Sequence, residues 1–202
     1  MTQVIGNLVG CGLLALAACG GSSAALDPEP NGTVDGIAFP VIDVISSVIT
    51  APGRSVAYIV LSSAPDACAA PEALVYHPGQ QTLLFILQDS SGGTPAPPSA
   101  PGRYEIVDPF AGGSAPPRSA LVLTSQLNAT CGNDADFSTT GVSGAVTLNA
   151  VDAGAGAYQG MFDMVLERSD SGTRDHVTGG FNSVACGQLE AQLASEIVPP
   201  CQ

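Results

Sequence analysis

The chain has 202 residues, of which 45% are hydrophobic and 11% charged, a balance that supplies the apolar core of one domain and excludes a disordered chain. It contains no lysine, and its five arginines stand singly against 18 acidic residues, for a formal net charge of −13. Because nucleic acid and anionic membrane surfaces both require clustered cations, we expect the folded domain to bind neither.

Residues 1–18 have the pattern of a secretory signal peptide. The stretch 8–18 is apolar and uncharged, and a helix of this length, at about 1.5 Å per residue, reaches roughly half of the ~30 Å hydrocarbon core of a bilayer. The stretch therefore fits the apolar region of a signal peptide and not a membrane span. The alternative is a buried N-terminal helix, which the polar, turn-rich residues 20–33 disfavour.

The end of this segment carries the sequence Leu16-Ala17-Ala18-Cys19. It resembles the lipobox of bacterial lipoproteins, in which small residues give the signal peptidase access to the bond before a lipid-modified cysteine. The resemblance implies that Cys19 becomes the lipidated N-terminus and anchors the protein to a membrane of the bacterial cell envelope, on its extracytoplasmic side. Residues 19–33 are rich in glycine, serine and proline, and we expect them to form a flexible tether.

From residue 34 to residue 202 the pattern predicts an all-β domain. Short apolar runs are separated by Gly, Pro, Ser and Asp, as in an antiparallel β-sandwich or β-barrel of about eight strands. The predicted strands are 34–45, 55–61, 82–88, 102–107, 119–127, 142–150, 158–167 and 176–184. One short C-terminal helix is predicted over 188–198, where Leu189, Leu193 and Ile197 share a face before two prolines.

The last three predicted strands alternate apolar and polar residues, which indicates a sheet with one face on the core and one in water. Each carries an inward glycine followed two residues later by a larger residue; the pairs are Gly144 with Val146, Gly160 with Phe162, and Gly179 with Phe181. We expect the phenylalanine rings to lie over the gaps that the glycines leave. The run 83–87 is apolar at every position, so this strand is expected to be central and covered, or to mark an interface.

Cys68, Cys131, Cys186 and Cys201 are expected to form two disulfides, as in proteins outside the cytoplasm, and sequence alone leaves three connectivities open. Strand direction favours one of them. If the strands alternate up and down, the second and the eighth end at the same edge of the sheet, so that Cys68 meets Cys186. The helix and tail then carry Cys201 to Cys131, whereas a bond between Cys186 and Cys201 would need the tail to fold tightly back.

No residue pattern in the chain predicts catalysis, so we expect it not to be an enzyme. No Gly-x-Ser-x-Gly motif occurs, and His77, in a turn, and His176, on a polar strand face, are both expected to be solvated. The acidic stretches 133–136 and 170–175 lack the spacing of a calcium loop, and oxidised cysteines leave no zinc site. The glycine-rich stretch 154–160 predicts a hairpin turn and not a phosphate-binding loop. We therefore expect no metal and no cofactor.

Roughly the last half of the chain that follows the predicted signal peptide, with a weaker match over 61–68, resembles secreted lipoproteins of high-GC bacteria to which no activity is assigned. The resemblance rests on the run 142–151, on Gly-Met-Phe-Asp at 160–163, and on Thr-Gly-Gly-Phe at 178–181 before Cys186. It implies a type of domain and no function. Three hypotheses follow: a structural or interaction role, with an envelope protein as partner; the binding of a small apolar ligand inside a β-barrel; and an unrecognised hydrolase.

Overall fold

The computed structural model describes residues 31–34, 36–134, 139–195 and 199–202. Cys19, the predicted signal peptide and most of the predicted tether lie outside the described residues. The strands are β1 (Thr33–Val34), β2 (Ile37–Ala38), β3 (Asp43–Ala51), β4 (Arg54–Ser62), β5 (Gln81–Asp89), β6 (Gly102–Ile106), β7 (Arg118–Gln126), β8 (Thr139–Asp152), β9 (Ala157–Arg168), β10 (Arg174–Asn182) and β11 (Val184–Ala185), and the helix is α1 (Leu189–Ala194). Within these described ranges, no helix has the length and apolar character needed to span a membrane.

Nine of the strands form one strongly curled sheet, a half-barrel, in the order β10-β9-β8-β6-β7-β5-β4-β3-β11. The predicted all-β fold with a short C-terminal helix is thereby confirmed. Neighbouring strands are antiparallel except for two pairs, because β6 runs parallel to β7 and β11 runs parallel to β3. The sheet is therefore mixed, and not wholly antiparallel as predicted. β1 and β2 form a separate two-stranded sheet.

The predicted strand 34–45 is wrong, because the structure divides this stretch among three strands. β1 pairs with β2 across Gly36, whose φ of 72° lies in the left-handed region that favours glycine. Pro40, which has no N–H for a sheet, lies between β2 and β3. β3 begins at Asp43 and continues through Ser46 and Ser47 to Ala51. These two successive serines interrupt the apolar pattern, and the predicted strand therefore ended before the second half of β3.

The last predicted strand, 176–184, is also divided. β10 pairs with β9 as far as Asn182. After Ser183 the chain leaves β9 and crosses to the far end of the sheet, where Val184 and Ala185 form β11 beside β3. The two ends of the curled sheet therefore approach each other at this point.

A buried group of hydrogen bonds, which we call the closing cluster, joins these two ends. It consists of Ser46 on β3, Gly156 in the predicted hairpin turn between β8 and β9, Tyr158 on β9, and Ser183. Ser46 Oγ donates to the Gly156 carbonyl over 2.7 Å and lies 2.7 Å from Ser183 Oγ. Ser183 Oγ in turn accepts from the backbone N–H of Tyr158 over 2.9 Å. Both serines are buried, so their hydroxyls depend on these partners.

The core lies inside the curl, where large side chains from both halves of the sheet meet. Phe85 is 0% exposed, and its ring centroid lies 5.2 Å from that of Phe162 and 5.9 Å from that of Phe181. Tyr104 and Tyr158 are also fully buried. These aromatic side chains, together with leucines and valines of the same cluster, fill the interior of the half-barrel.

Two of the expected contacts between glycine and phenylalanine are confirmed, and they link β9 to β10. A Cβ on Gly160 would lie 2.9 Å from the Phe181 ring, and a Cβ on Gly179 would lie 2.5 Å from the Phe162 ring. Each ring thus covers the glycine of the neighbouring strand, where a larger residue would collide with it. Gly144 has a different role. It comes directly after an irregularity in the pairing of β8 with β9, and its φ of 110° lies in the region that favours glycine.

The helix α1 is shorter than the predicted helix over 188–198. It ends at Ala194, because Ser195 has an extended backbone with φ −74° and ψ 135°. Leu189 is buried against Ile45 and Cys186 in a small second core, whereas Leu193 is 57% exposed. Ile197 lies outside the described residues.

Candidate functional site

Two disulfides pair Cys68 with Cys186 and Cys131 with Cys201, with Cα–Cα distances of 5.5 and 5.6 Å. These are the pairs predicted from strand direction, but the reason that Cys186 reaches Cys68 differs from the predicted one. Cys186 comes close to Cys68 because β11 has crossed to β3, and not because the eighth strand ends at that edge. Two disulfides suggest an oxidising location outside the cytoplasm.

The outer face of the sheet is apolar where β4, β5 and β7 lie side by side. Outward-facing residues that are paired across these strands form two rows, which are Tyr58, Ile86 and Leu121 in the first row and Val60, Leu84 and Leu123 in the second. All six side chains are half-buried. This explains why the run 83–87 is apolar throughout: every second residue faces the core, and the residues between them face this outer surface.

Part of the second row is the floor of a cavity of about 300 Å³, which we call the covered cavity. Val60 and Leu84 contribute to the floor. The roof is formed by the segment 67–76, which includes Leu74, and by the C-terminal part of the chain, which includes Leu189 and Leu193. The cavity therefore lies on the outer side of the half-barrel, between the sheet and a cover of loops and helix.

Hydrogen bonds hold this roof together, in addition to the two disulfides. Gln192 on α1 donates from Nε2 to the carbonyl oxygens of Ala67 and Ala69, over 2.9 and 2.6 Å. The backbone N–H of Tyr76 donates to the carbonyl of Pro200 over 3.0 Å. The segment 67–76 and the C-terminal part of the chain are thus joined to each other on both sides of the cavity.

The lining of the covered cavity suits an uncharged, mostly apolar molecule. Among the described residues that line it there is no Asp, Glu, His, Lys or Arg, and the polar side chains are Tyr58, Ser62, Tyr76, Gln80, Thr82, Ser125, Gln192 and Ser195. Hydroxyls and amides of this kind can orient a ligand by hydrogen bonds. They do not include a group that exchanges protons near neutral pH.

The two histidines lie outside this cavity. His176 Nε2 lies 2.8 Å from Asp163 Oδ1 on the exposed face of β9 and β10, and His77 Nδ1 lies 3.3 Å from the carbonyl oxygen of Gln202. Among the hydrogen bonds of the described residues, neither histidine contacts both a serine hydroxyl and a carboxylate, which is the arrangement a serine hydrolase uses.

The carboxylates of the acidic stretch 170–175 are engaged in interactions with other parts of the protein. Asp170 forms a salt bridge to Arg168 over 2.7 Å. Asp175 accepts hydrogen bonds from Thr33 Oγ1 over 3.3 Å and from the Gly36 N–H over 3.2 Å. Residues 135 and 136 of the other stretch lie outside the described residues. In the described part of the chain, no three side chains of the kinds that bind metals come together.

Tyr104 and Tyr158 bring two hydroxyls into the core without a hydrogen-bond partner among the described residues. Burial raises the pKa of Tyr158 to about 12, and the proximity of Tyr104 acts in the same direction. Burial likewise raises the pKa of Tyr104. Burial therefore favours the neutral form of both hydroxyls.

Tyr158→Phe is expected to keep or raise the free energy of unfolding at pH 7, because it removes a hydroxyl that is buried without a partner. In the unfolded chain Tyr158 ionises near pH 10, whereas in the folded protein its pKa is about 12. The native chain therefore loses stability as the pH rises from about 10 towards 12, and the variant should lose less. Urea titrations at pH 7 and pH 11 measure this difference. Tyr58→Phe on the outer face is the control, and an equal alkaline loss in Tyr158→Phe would contradict the prediction.

Sequence reasoning missed the residues of the covered cavity. The roof residues Leu74 and Tyr76 belong to a stretch without a strand or helix pattern, and the one signal for the floor is Leu84, in the run that is apolar on both faces. Comparison with known proteins gives no further guide to this site, since no family model, no curated protein and no solved structure matches the chain.

Proposed function

We propose that the chain is a membrane-anchored, extracytoplasmic binding domain and that its covered cavity holds a small apolar ligand. The observation that carries the proposal is the cavity of about 300 Å³ between an apolar sheet face and a cross-linked roof. Small-molecule sites measure about 300 to 1,000 Å³ and combine apolar walls with a few polar groups. The ligand therefore belongs to the small end of that range and carries no charge.

The proposed site lies outside the curled sheet and not inside a barrel. Inside the curl, Phe85, Phe162 and Phe181 occupy the space with other buried side chains. Outside it, the roof leaves room above Val60 and Leu84. A roof that is tied down at both ends supports a preformed site, because the ligand does not have to order the chain in order to bind.

A single introduced tryptophan tests ligand binding. The chain contains no tryptophan, and Leu193 lines the covered cavity with its side chain partly exposed. Titration of Leu193→Trp with menthol, an uncharged apolar alcohol, is expected to give a saturable blue shift of the indole emission. Met161→Trp, on the outer face of β9, is the control and should show no shift.

A second substitution locates the probe. Val60→Phe enlarges a floor residue, so that adding it to Leu193→Trp should abolish the shift by filling the cavity. A shift that persists in the double variant, or that occurs equally in Met161→Trp, would show that menthol binds elsewhere. Absence of any shift in Leu193→Trp would refute the proposed ligand class.

The anchoring part of the proposal is supported by the lipobox at 16–19 and by the two disulfides, which suit an extracytoplasmic location. Cys19→Ala is expected to move the protein from the detergent phase to the aqueous phase in a detergent-partition assay, because the acyl chains that anchor it would be missing. Cys11→Ala changes the cysteine inside the predicted signal peptide and should leave the partition as it is. If the Cys19→Ala chain stays in the detergent phase, the lipid anchor is excluded.

A further inference from the structure

A second groove, which we call the open groove, lies beside the covered cavity on the outer face and measures about 290 Å³. Ile86 and Leu121, from the first apolar row, line it. Val107 and Pro109, which follow β6, form one side, and Tyr58 on the other side also lines the covered cavity. The two sites are therefore neighbours with one shared side chain.

The polarity of the open groove changes along its strands. Arg54, at the start of β4, lies at one end with Gln88 and Ser119, which are paired across β5 and β7. Gln88 Nε2 donates to Ser119 Oγ over 3.1 Å. Two residues further along the strands, about 6.6 Å away, Ile86 and Leu121 present only hydrocarbon. One end of the groove thus carries a cation and hydrogen-bonding groups, and the adjoining part is apolar.

Arg54 differs from the other four arginines of the chain. Each of those forms a salt bridge with a carboxylate, and the pairs are Arg103 with Glu105, Arg118 with Asp89, Arg168 with Asp170 and Arg174 with Glu167. Arg54 forms none with the described residues, and no acidic residue lines the open groove. In a chain of net charge −13, a cation that faces a groove without a carboxylate leaves that position to an anion from outside.

We propose that the open groove binds an amphipathic carboxylate of the fatty-acid class, with its head group at Arg54 and its chain along Ile86 and Leu121. A guanidinium binds a carboxylate with two parallel N–H···O bonds, which a neutral alcohol cannot accept in the same way. The apolar part of the groove then removes the chain from water. This site is separate from the covered cavity, and the proposal does not depend on a ligand there.

Decanoate is the probe for this proposal, and decanol, which has the same chain length without the charge, is the comparison. In isothermal titrations of the full chain, decanoate is expected to bind more tightly than decanol. Arg54→Gln should weaken decanoate binding about tenfold, equivalent to about 1.4 kcal/mol, and leave decanol binding unchanged. Arg103→Gln is the matched control, because it removes an arginine that is already paired, and it should bind decanoate like the native chain.

Two further variants locate the hydrocarbon chain. Ile86→Gln should weaken the binding of decanoate, whereas Val60→Phe, which fills the covered cavity, should not. Decanoate binding that is lost in Val60→Phe and kept in Ile86→Gln would place the probe in the covered cavity and overturn the proposal. Native affinity for decanoate in Arg54→Gln would also overturn it. Titrating every variant well below its own melting temperature ensures that a lost affinity does not reflect unfolding.

Discussion

Phe85→Asp is expected to lower the free energy of unfolding by about 4 kcal/mol or more, which is a large part of the stability of an ordinary domain. The side chain of Phe85 is fully buried and packs against the rings of Phe162 and Phe181. An aspartate at this position would lose these contacts and would place a carboxyl group in the core without a partner. Thermal unfolding followed by circular dichroism measures the effect as a lower melting temperature.

The same substitution at an exposed phenylalanine is the control for this prediction. Phe110 lies between β6 and β7 and is 79% exposed, so Phe110→Asp should change the melting temperature little. Equal melting temperatures for Phe85→Asp and the native chain would show that β5 is not at the centre of the core.

Loss of the disulfide between Cys68 and Cys186 is expected to have the second large effect. The two cysteines are separated by 118 positions, and for a loop of this length the chain-entropy model gives roughly 4 to 5 kcal/mol as the stabilisation. Cys186 is 2% exposed and packs with Ile45 and Leu189. Cys68→Ala/Cys186→Ala should therefore also loosen α1 and the roof of the covered cavity. Urea unfolding of the double variant measures the loss.

Cys131→Ala/Cys201→Ala is the matched control for that variant. Its cysteines are 70 positions apart, so the entropy that the bond removes from the unfolded chain is similar. The bond nevertheless fixes only the segment around 199–202, which can fray without opening the sheet. We expect a smaller loss of stability than for the first pair. Non-reducing peptide mapping of the native chain checks both bonds, and a peptide that joins Cys186 to Cys201 would contradict the pairing.

The strands of the second half could be predicted because the signal for them is local. In β9, Tyr158, Phe162 and Leu166 face the core and Asp163 faces solvent, as their alternation indicates. The period of two depends only on the pleat of the strand and on one face being buried. Such a signal can be read without knowledge of the partner strand.

The mistaken strand boundaries arose where the partners of a residue are distant in sequence. Ser46 is a polar residue of the kind expected to face solvent. It is nevertheless buried, and its hydroxyl is satisfied by hydrogen bonds with Gly156 and Ser183. Ser183 interrupts an apparently continuous strand for the same reason. Ser46 and its partners Gly156 and Ser183 are too far apart to occur in one short stretch of sequence. The periodicity of a single stretch therefore could not predict the length of β3 or the start of β11.

The candidate sites were hidden from sequence reasoning in a similar way. The outward apolar positions Leu84 and Ile86 are visible in the run 83–87, but their cover comes from segments that follow other strands. Arg54 can be recognised as different from the other arginines only when the partners of those arginines are known. Such a partner can be distant in sequence, since Asp89 lies 29 positions from Arg118. The sequence shows that there are five arginines, but not which of them has no carboxylate partner among the described residues.

The closing cluster has a consequence for the kinetics of folding. Its two serines are separated by 137 positions, so the contact that completes the sheet is among the most non-local in the domain, and contacts of this kind form late because loop-closure entropy opposes them. Until β11 arrives, the edge of β3 is unpaired at Ile45 and Ser46 as well, and an unpaired strand edge is a template for association with other chains. The exposed edge at Ile45 and Ser46 therefore persists from the formation of β3 until β11 reaches it, and the rate of that last step sets how long association with other chains competes with folding.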